Sequence, residues 1–184
     1  MLPRRFDSLR LRPVLPAEVS ARQSPGSLAV VRACRLGAGP ASRPVLQPWA
    51  PPRIEWPFGV LHVADAEWAR QACLLLDGTW ALADAPGALA RWRVRGAALA
   101  AGVAWWRPLA PQDAWDAGVA PSASALQGFV PRRATLIVIE QGTVDEAGAQ
   151  ALAALEQQAF GGPRAVRVLL AGGPVPPFAR PVAP

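Results

Sequence analysis

Residues 135–170, TLIVIEQGTVDEAGAQALAALEQQAFGGPRAVRVLL, decide how the rest of this chain is read. The run opens on Thr135–Ile139, where Leu136, Ile137, Val138 and Ile139 follow one another without a polar break. A strand with one wet face alternates apolar and polar residues. This one does not, and such strands belong inside parallel sheets covered on both sides. Thr143-Val-Asp-Glu146 then has the spacing of a capping box, in which the Thr143 hydroxyl accepts from the Glu146 amide and the Glu146 carboxylate reaches back. Val144, Ala147, Ala151, Leu155 and Ala159 follow at helical intervals, Gly161 suits a helix stop, and Pro163 prevents continuation. Ala165–Leu170 is a second apolar strand that ends at Gly172-Gly173. Strand, helix, strand is the unit that right-handed crossovers assemble into parallel sheets.

Towards the N-terminus the alternation recurs. Phe58–Val63 predicts a strand, and Ala66–Leu76 a helix with Trp68, Ala72, Leu75 and Leu76 on one face. Asp77-Gly78 is a turn and Thr79–Ala83 a short strand. Pro86–Ala101 reads as a helix with proline in its first turn and Leu89, Trp92, Gly96 and Leu99 or Ala100 on an apolar stripe facing the core. Val103–Trp106 is a further strand, Gln112–Ala117 a short helix at most, and residues 118–131 a loop. The expectation is an α/β fold of three layers: a mostly parallel sheet of about five strands with helices on both faces, flavodoxin-like or Rossmann-like. Strand order is not written in the pattern.

The flanks differ from this core. Residues 1–57 are rich in proline, arginine and serine, and only Leu28–Cys34 is strand-like. They are expected to form an extended arm with one edge strand. Residues 58–173 form the core domain, and residues 174–184 a proline-rich tail without regular structure.

Composition excludes more than it suggests. The chain has no lysine, asparagine or tyrosine, so it has neither a Walker A loop nor a Schiff-base lysine. His62, Cys34 and Cys73 are too few to fill a tetrahedral zinc site. No Gly-x-Gly-x-x-Gly follows a strand, and no cofactor is expected. The missing residue types have AT-rich codons, and the abundant alanine, arginine, glycine and proline have GC-rich ones, which reads as a high-GC genome. The net charge of +6 therefore says more than the pI of 11.3, which reflects arginine as the sole strong base. Eight tryptophans and 52% hydrophobic residues point to a folded chain, with no apolar run long enough to span a membrane. Two cysteines make no disulfide framework, so a reducing, cytoplasmic setting is the default. The alternative is an organelle, because Arg4, Arg5, Arg10, Arg12, Arg22, Arg32 and Arg35 resemble the composition of a transit peptide. Against it, Pro3, Pro13, Pro16 and Pro25 interrupt any amphipathic helix there.

Ligands of open parallel sheets bind beyond the carboxyl ends of the strands. Asp65 and Glu67, Asp84, Arg107, Glu140 and Asp145, and Gly172-Gly173 fall there. Asp65, Asp84 and Glu140 together would suit a Mg²⁺ ion and phosphotransfer or nuclease-like chemistry. Their structural alternative is helix capping, for which aspartate is among the best residues. His62 inside a strand reads as a hydrogen-bonded wall residue, Cys73 as a small buried hydrophobe, and Ser122 and Ser124 lack a nucleophile elbow. Arg91, Arg93 and Arg95 alternate along one helix, and Arg132 and Arg133 precede a strand. With Trp49, Trp56, Trp105, Trp106 and Trp115 they raise nucleic-acid contact as an alternative, without a recognised module. The leading expectation is a non-catalytic accessory or assembly subunit acting by protein–protein contact, with Trp49, Trp56, Arg4, Arg5, Arg10 and Arg12 on the arm as anchors.

Overall fold

The structure is a computed structural model that describes residues 11–20, 23–36, 57–77, 85–93, 96, 115–131, 133–140, 143–161 and 165–183. Its elements are α1 (Pro25–Leu36), β1 (Phe58–Val63), α2 (Ala66–Leu76), α3 (residues 87–93), β2 (Asp116–Ala120), β3 (Thr135–Ile139), α4 (Glu146–Gly161), β4 (Val166–Ala171) and β5 (Arg180–Pro181). The five strands form one parallel sheet in the order β2-β3-β4-β1-β5. Helices cover both faces, which makes a three-layer α/β fold.

Period-two alternation divides the strands between two cores. Arg167, Leu169 and Ala171 of β4 turn to one face, and the last two share it with Leu61, Val63, Leu136 and Val138, beneath α1 and α2. Val166, Val168 and Leu170 turn to the other face, with Ile137 and Ile139, beneath α4 and the 3₁₀ turn Ser124–Leu126. Travel from β1 to β2 runs one way across the sheet and travel from β2 through β3 to β4 the other. The two directions use opposite faces, as a constant crossover hand requires.

Three predicted elements, Phe58–Val63, Ala66–Leu76 and Thr135–Ile139, form with the expected bounds. The strand expected at Ala165–Leu170 forms one residue further on, as Val166–Ala171, and α4 ends at Gly161 as expected. The remaining elements differ for identifiable reasons. Residues 28–34 are not an edge strand. They lie within α1, whose Ser24 caps the first turn by accepting from the Ser27 amide at 3.1 Å, with Pro25 opening the helix. Val30 and Cys34, one helical turn apart, are fully buried against α2. Because α1 packs along α2, burial on α2 falls on Ala72 and Leu76 of the predicted stripe and also takes in Ala69, Gln71, Cys73 and Leu74, while Trp68 and Leu75 are half-buried. The Trp68 ring rests on the backbone of Gly26, where a Cβ would overlap it.

Residues 116–120 are a strand rather than the end of a short helix and a loop. Their small side chains, Asp-Ala-Gly-Val-Ala, are all buried. A Cβ on Gly118 would stand 3.0 Å from the Arg12 carbonyl, because the N-terminal segment crosses there. Arg12 and Val119 exchange both backbone hydrogen bonds at 2.7 Å, closing that edge of the sheet. The tail also contributes structure: Arg180 and Pro181 pair with Leu61 and His62. In α4 the cap is Asp145, whose carboxylate accepts from the Gly148 amide at 2.7 Å, rather than Thr143, and Gly148 rather than Ala147 meets the core. Leu89 and Trp92 of α3 do not face the core; they are 72% and 70% exposed. The predicted strands at 79–83 and 103–106 and the end of the predicted helix at 97–101 lie outside the described residues.

Candidate functional site

The parallel register brings the carboxyl ends of β1, β3 and β4 together. Val63 pairs with Ala171 and Ile139 with Leu170, so Asp65, Glu140 and Gly172 follow adjacent strands. This edge is where a ligand of such a sheet would bind.

Each described polar side chain here holds the fold. Asp65 caps α2 and accepts from the Glu67 amide at 2.8 Å. Glu67 accepts from the Ser20 amide at 2.6 Å and from Gln71 Nε2 at 3.2 Å, tying the N-terminal segment to α2. Glu140 Oε1 lies 2.6 Å from Arg70 Nε, and the hydrogen bond raises the guanidinium above its ordinary value. His62 is buried, and its Nε2 lies 3.2 Å from the carbonyl oxygens of both Gly172 and Gly173. Two carbonyls cannot donate, so Nε2 carries the hydrogen. Both glycines have positive φ, 77° and 70°, the left-handed region that glycine enters without a Cβ penalty. The histidine thus holds the β4–β5 turn from within.

Asp84, the third acid of the proposed Mg²⁺ site, lies outside the described residues, as do Trp49, Trp56, Arg4, Arg5 and Arg10. Among the described residues no three His, Cys, Asp or Glu side chains are grouped to hold a metal ion. Arg12 is committed to the edge bridge with Val119 and pairs with Glu18. The Leu15 amide first, and then Arg12, hold the Glu18 carboxyl below the usual range. Ser122 Oγ accepts from the Ala125 amide at 3.2 Å at the entry to the 3₁₀ turn and lies 2.9 Å from Ser124 Oγ, while His62 is bonded elsewhere. Trp115, a candidate for stacking on bases, is 2% exposed and packed in the core.

Two arginines that sequence reasoning did not single out as buried sit inside the sheet layers. Arg167 donates through Nε to the Cys34 carbonyl at 3.2 Å, where the last turn of α1 needs donors and its dipole favours a cation. Burial lowers the Arg167 pKa. Burial also pushes the Cys34 thiol up to about 12, which leaves it without thiolate reactivity. Arg133 Nη1 lies 3.6 Å from Asp116 Oδ1, both buried, so this arginine is no part of an exposed basic cluster. Arg167 had one sequence signal: it alone interrupts the apolar run Ala165–Leu170. The pair at 116 and 133 had none.

Comparison with known proteins gives no family model, no curated protein and no solved structure that matches this chain. Among the described residues, no helix is long and apolar enough to cross a membrane.

Proposed function

We propose that this chain acts by protein–protein contact, as a non-catalytic accessory or assembly subunit. The reading is supported by the engagement of Asp65, Asp145, Glu140 and His62 in capping, pairing and clasping. One observation carries it: the sheet is only half closed beyond β1. β5 covers Leu61 and His62, and among the described residues no strand pairs with Phe58–Val60 on that side. The His62 carbonyl accepts from Val182 and the Val63 carbonyl from Gly172, just after β4, so alternate residues face alternate neighbours. By the same alternation Phe58 faces the open side with its N–H and C=O and Val60 with its N–H, while the Val60 carbonyl lies on the register that pairs Leu61 with Arg180. Val175 and Phe178, in the segment leading into β5, are 50% and 54% exposed. An open strand edge beside exposed apolar side chains is suited to strand addition by a partner.

The test is affinity purification of the full chain from its native host after cross-linking, alongside a Val175→Asp/Phe178→Asp variant. Wild type is expected to retain a stoichiometric partner that the variant loses. Both positions are exposed, so the variant should keep its stability within about 0.5 kcal/mol. A chain recovered alone, or a partner retained equally by both proteins, contradicts the proposal.

A further inference from the structure

A second surface has a different character. In α3, Leu89 and Trp92 are three residues apart and form one ridge, 72% and 70% exposed. Arg91 and Arg93, also exposed, lie about 100° to either side of Trp92 around the helix. The sequence between Asp84 and Asp113 contains no acid, while Arg91, Arg93, Arg95 and Arg107 fall within it. We propose that α3 seats the protein on an anionic lipid surface, with Leu89 and Trp92 in the headgroup–acyl boundary and Arg91 and Arg93 on lipid phosphates.

Three features select this occupant. The exposed Arg91 and Arg93, in a stretch of sequence without an acid, complement a negatively charged surface. A two-residue ridge offers on the order of 300–400 Å² of apolar area, well under the roughly 800 Å² that each partner contributes to a stable protein interface. A shallow bilayer contact has no such threshold, because charge attraction adds to modest apolar burial. Against a nucleic acid stands Leu89, which has no π-face for a base and would remain in water. Tryptophan is the residue enriched at membrane interfaces, and arginine stems reach past it to keep their heads among the phosphates.

The experiment is co-sedimentation of the full chain with vesicles of phosphatidylcholine alone or with one-third phosphatidylglycerol. Binding to the anionic vesicles is expected, absent from the neutral ones and falling with added salt. Leu89→Ser/Trp92→Ser is expected to weaken it about tenfold or more, and each of Arg91→Gln and Arg93→Gln about fivefold. All four positions are exposed, so thermal denaturation of each variant should match wild type. No binding, equal binding to neutral vesicles, or binding indifferent to the Leu89/Trp92 variant overturns the proposal. So does capture of single-stranded DNA that depends on Trp92 and not on Leu89.

Discussion

Single side chains show where burial rather than chemistry explains a polar residue. Asp116 and Arg133 neutralise each other inside the sheet layer next to β2 and β3. Removing one partner from a buried pair leaves an uncompensated charge, so Asp116→Ala is expected to cost about 3–5 kcal/mol in urea unfolding. The double replacement Asp116→Leu/Arg133→Met removes both charges and is expected to recover most of that loss; a double variant as unstable as the single would show that the pair is not the source. Cys34 gives a pH dependence. Its folded-state pKa of about 12 lies above the unfolded value of 9.0, so folding favours the protonated thiol. That stability is fully present below pH 9 and is lost as pH rises towards 12. Cys34→Ala is expected to flatten the decline in unfolding free energy across this window, and an unchanged slope would assign the decline to other groups.

Among the elements, what was legible in the sequence is what local pattern alone determines. Thr135–Ile139 carries its own burial on both faces, and Ala66–Leu76 its own cap at Asp65. Residues 28–34 misled because Val30 and Val31 favour strands, while the helix signal sat just upstream at Ser24 and Pro25. Residues 116–120 were illegible for the opposite reason: Ala117, Gly118 and Ala120 have no strand preference and are held by their neighbours, β3 on one side and Arg12 on the other. The candidate edge followed the same rule. The positions of Asp65 and Glu140 followed from the strands, whereas the pairing of Glu140 with Arg70, seventy residues away, is tertiary. Two outcomes test the elements. Asp145→Ala is expected to lower stability by about 1 kcal/mol while Thr143→Ala leaves it unchanged; the reverse would restore the capping box. Gly26→Val is expected to displace Trp68 and loosen α1 from α2, at a cost of about 1–3 kcal/mol, seen as a lower Tm. An unchanged Tm would mean that α1 does not rest on Trp68.

For the molecule as a whole, the described edges of the sheet are treated differently. The β2 side is closed by the N-terminal segment at Val119. The β1 side is closed at Leu61 and His62, and among the described residues no strand covers it below them. Native proteins shorten, charge or cover such edges, and a partner strand is one form of cover. The arm expected from the sequence is in part structural, because Leu11, Val14, Val30 and Cys34 are all core residues. A contact through the arm therefore cannot be probed by deleting residues 1–57 without disturbing both cores. The open edge can be probed without deletion, by the hydrogen exchange of the Val60 amide in the free chain and in the cross-linked complex. Rapid exchange in the free chain and strong protection in the complex are expected. A Val60 amide already protected when the chain is alone, or one whose exchange the partner leaves unchanged, contradicts contact at this edge.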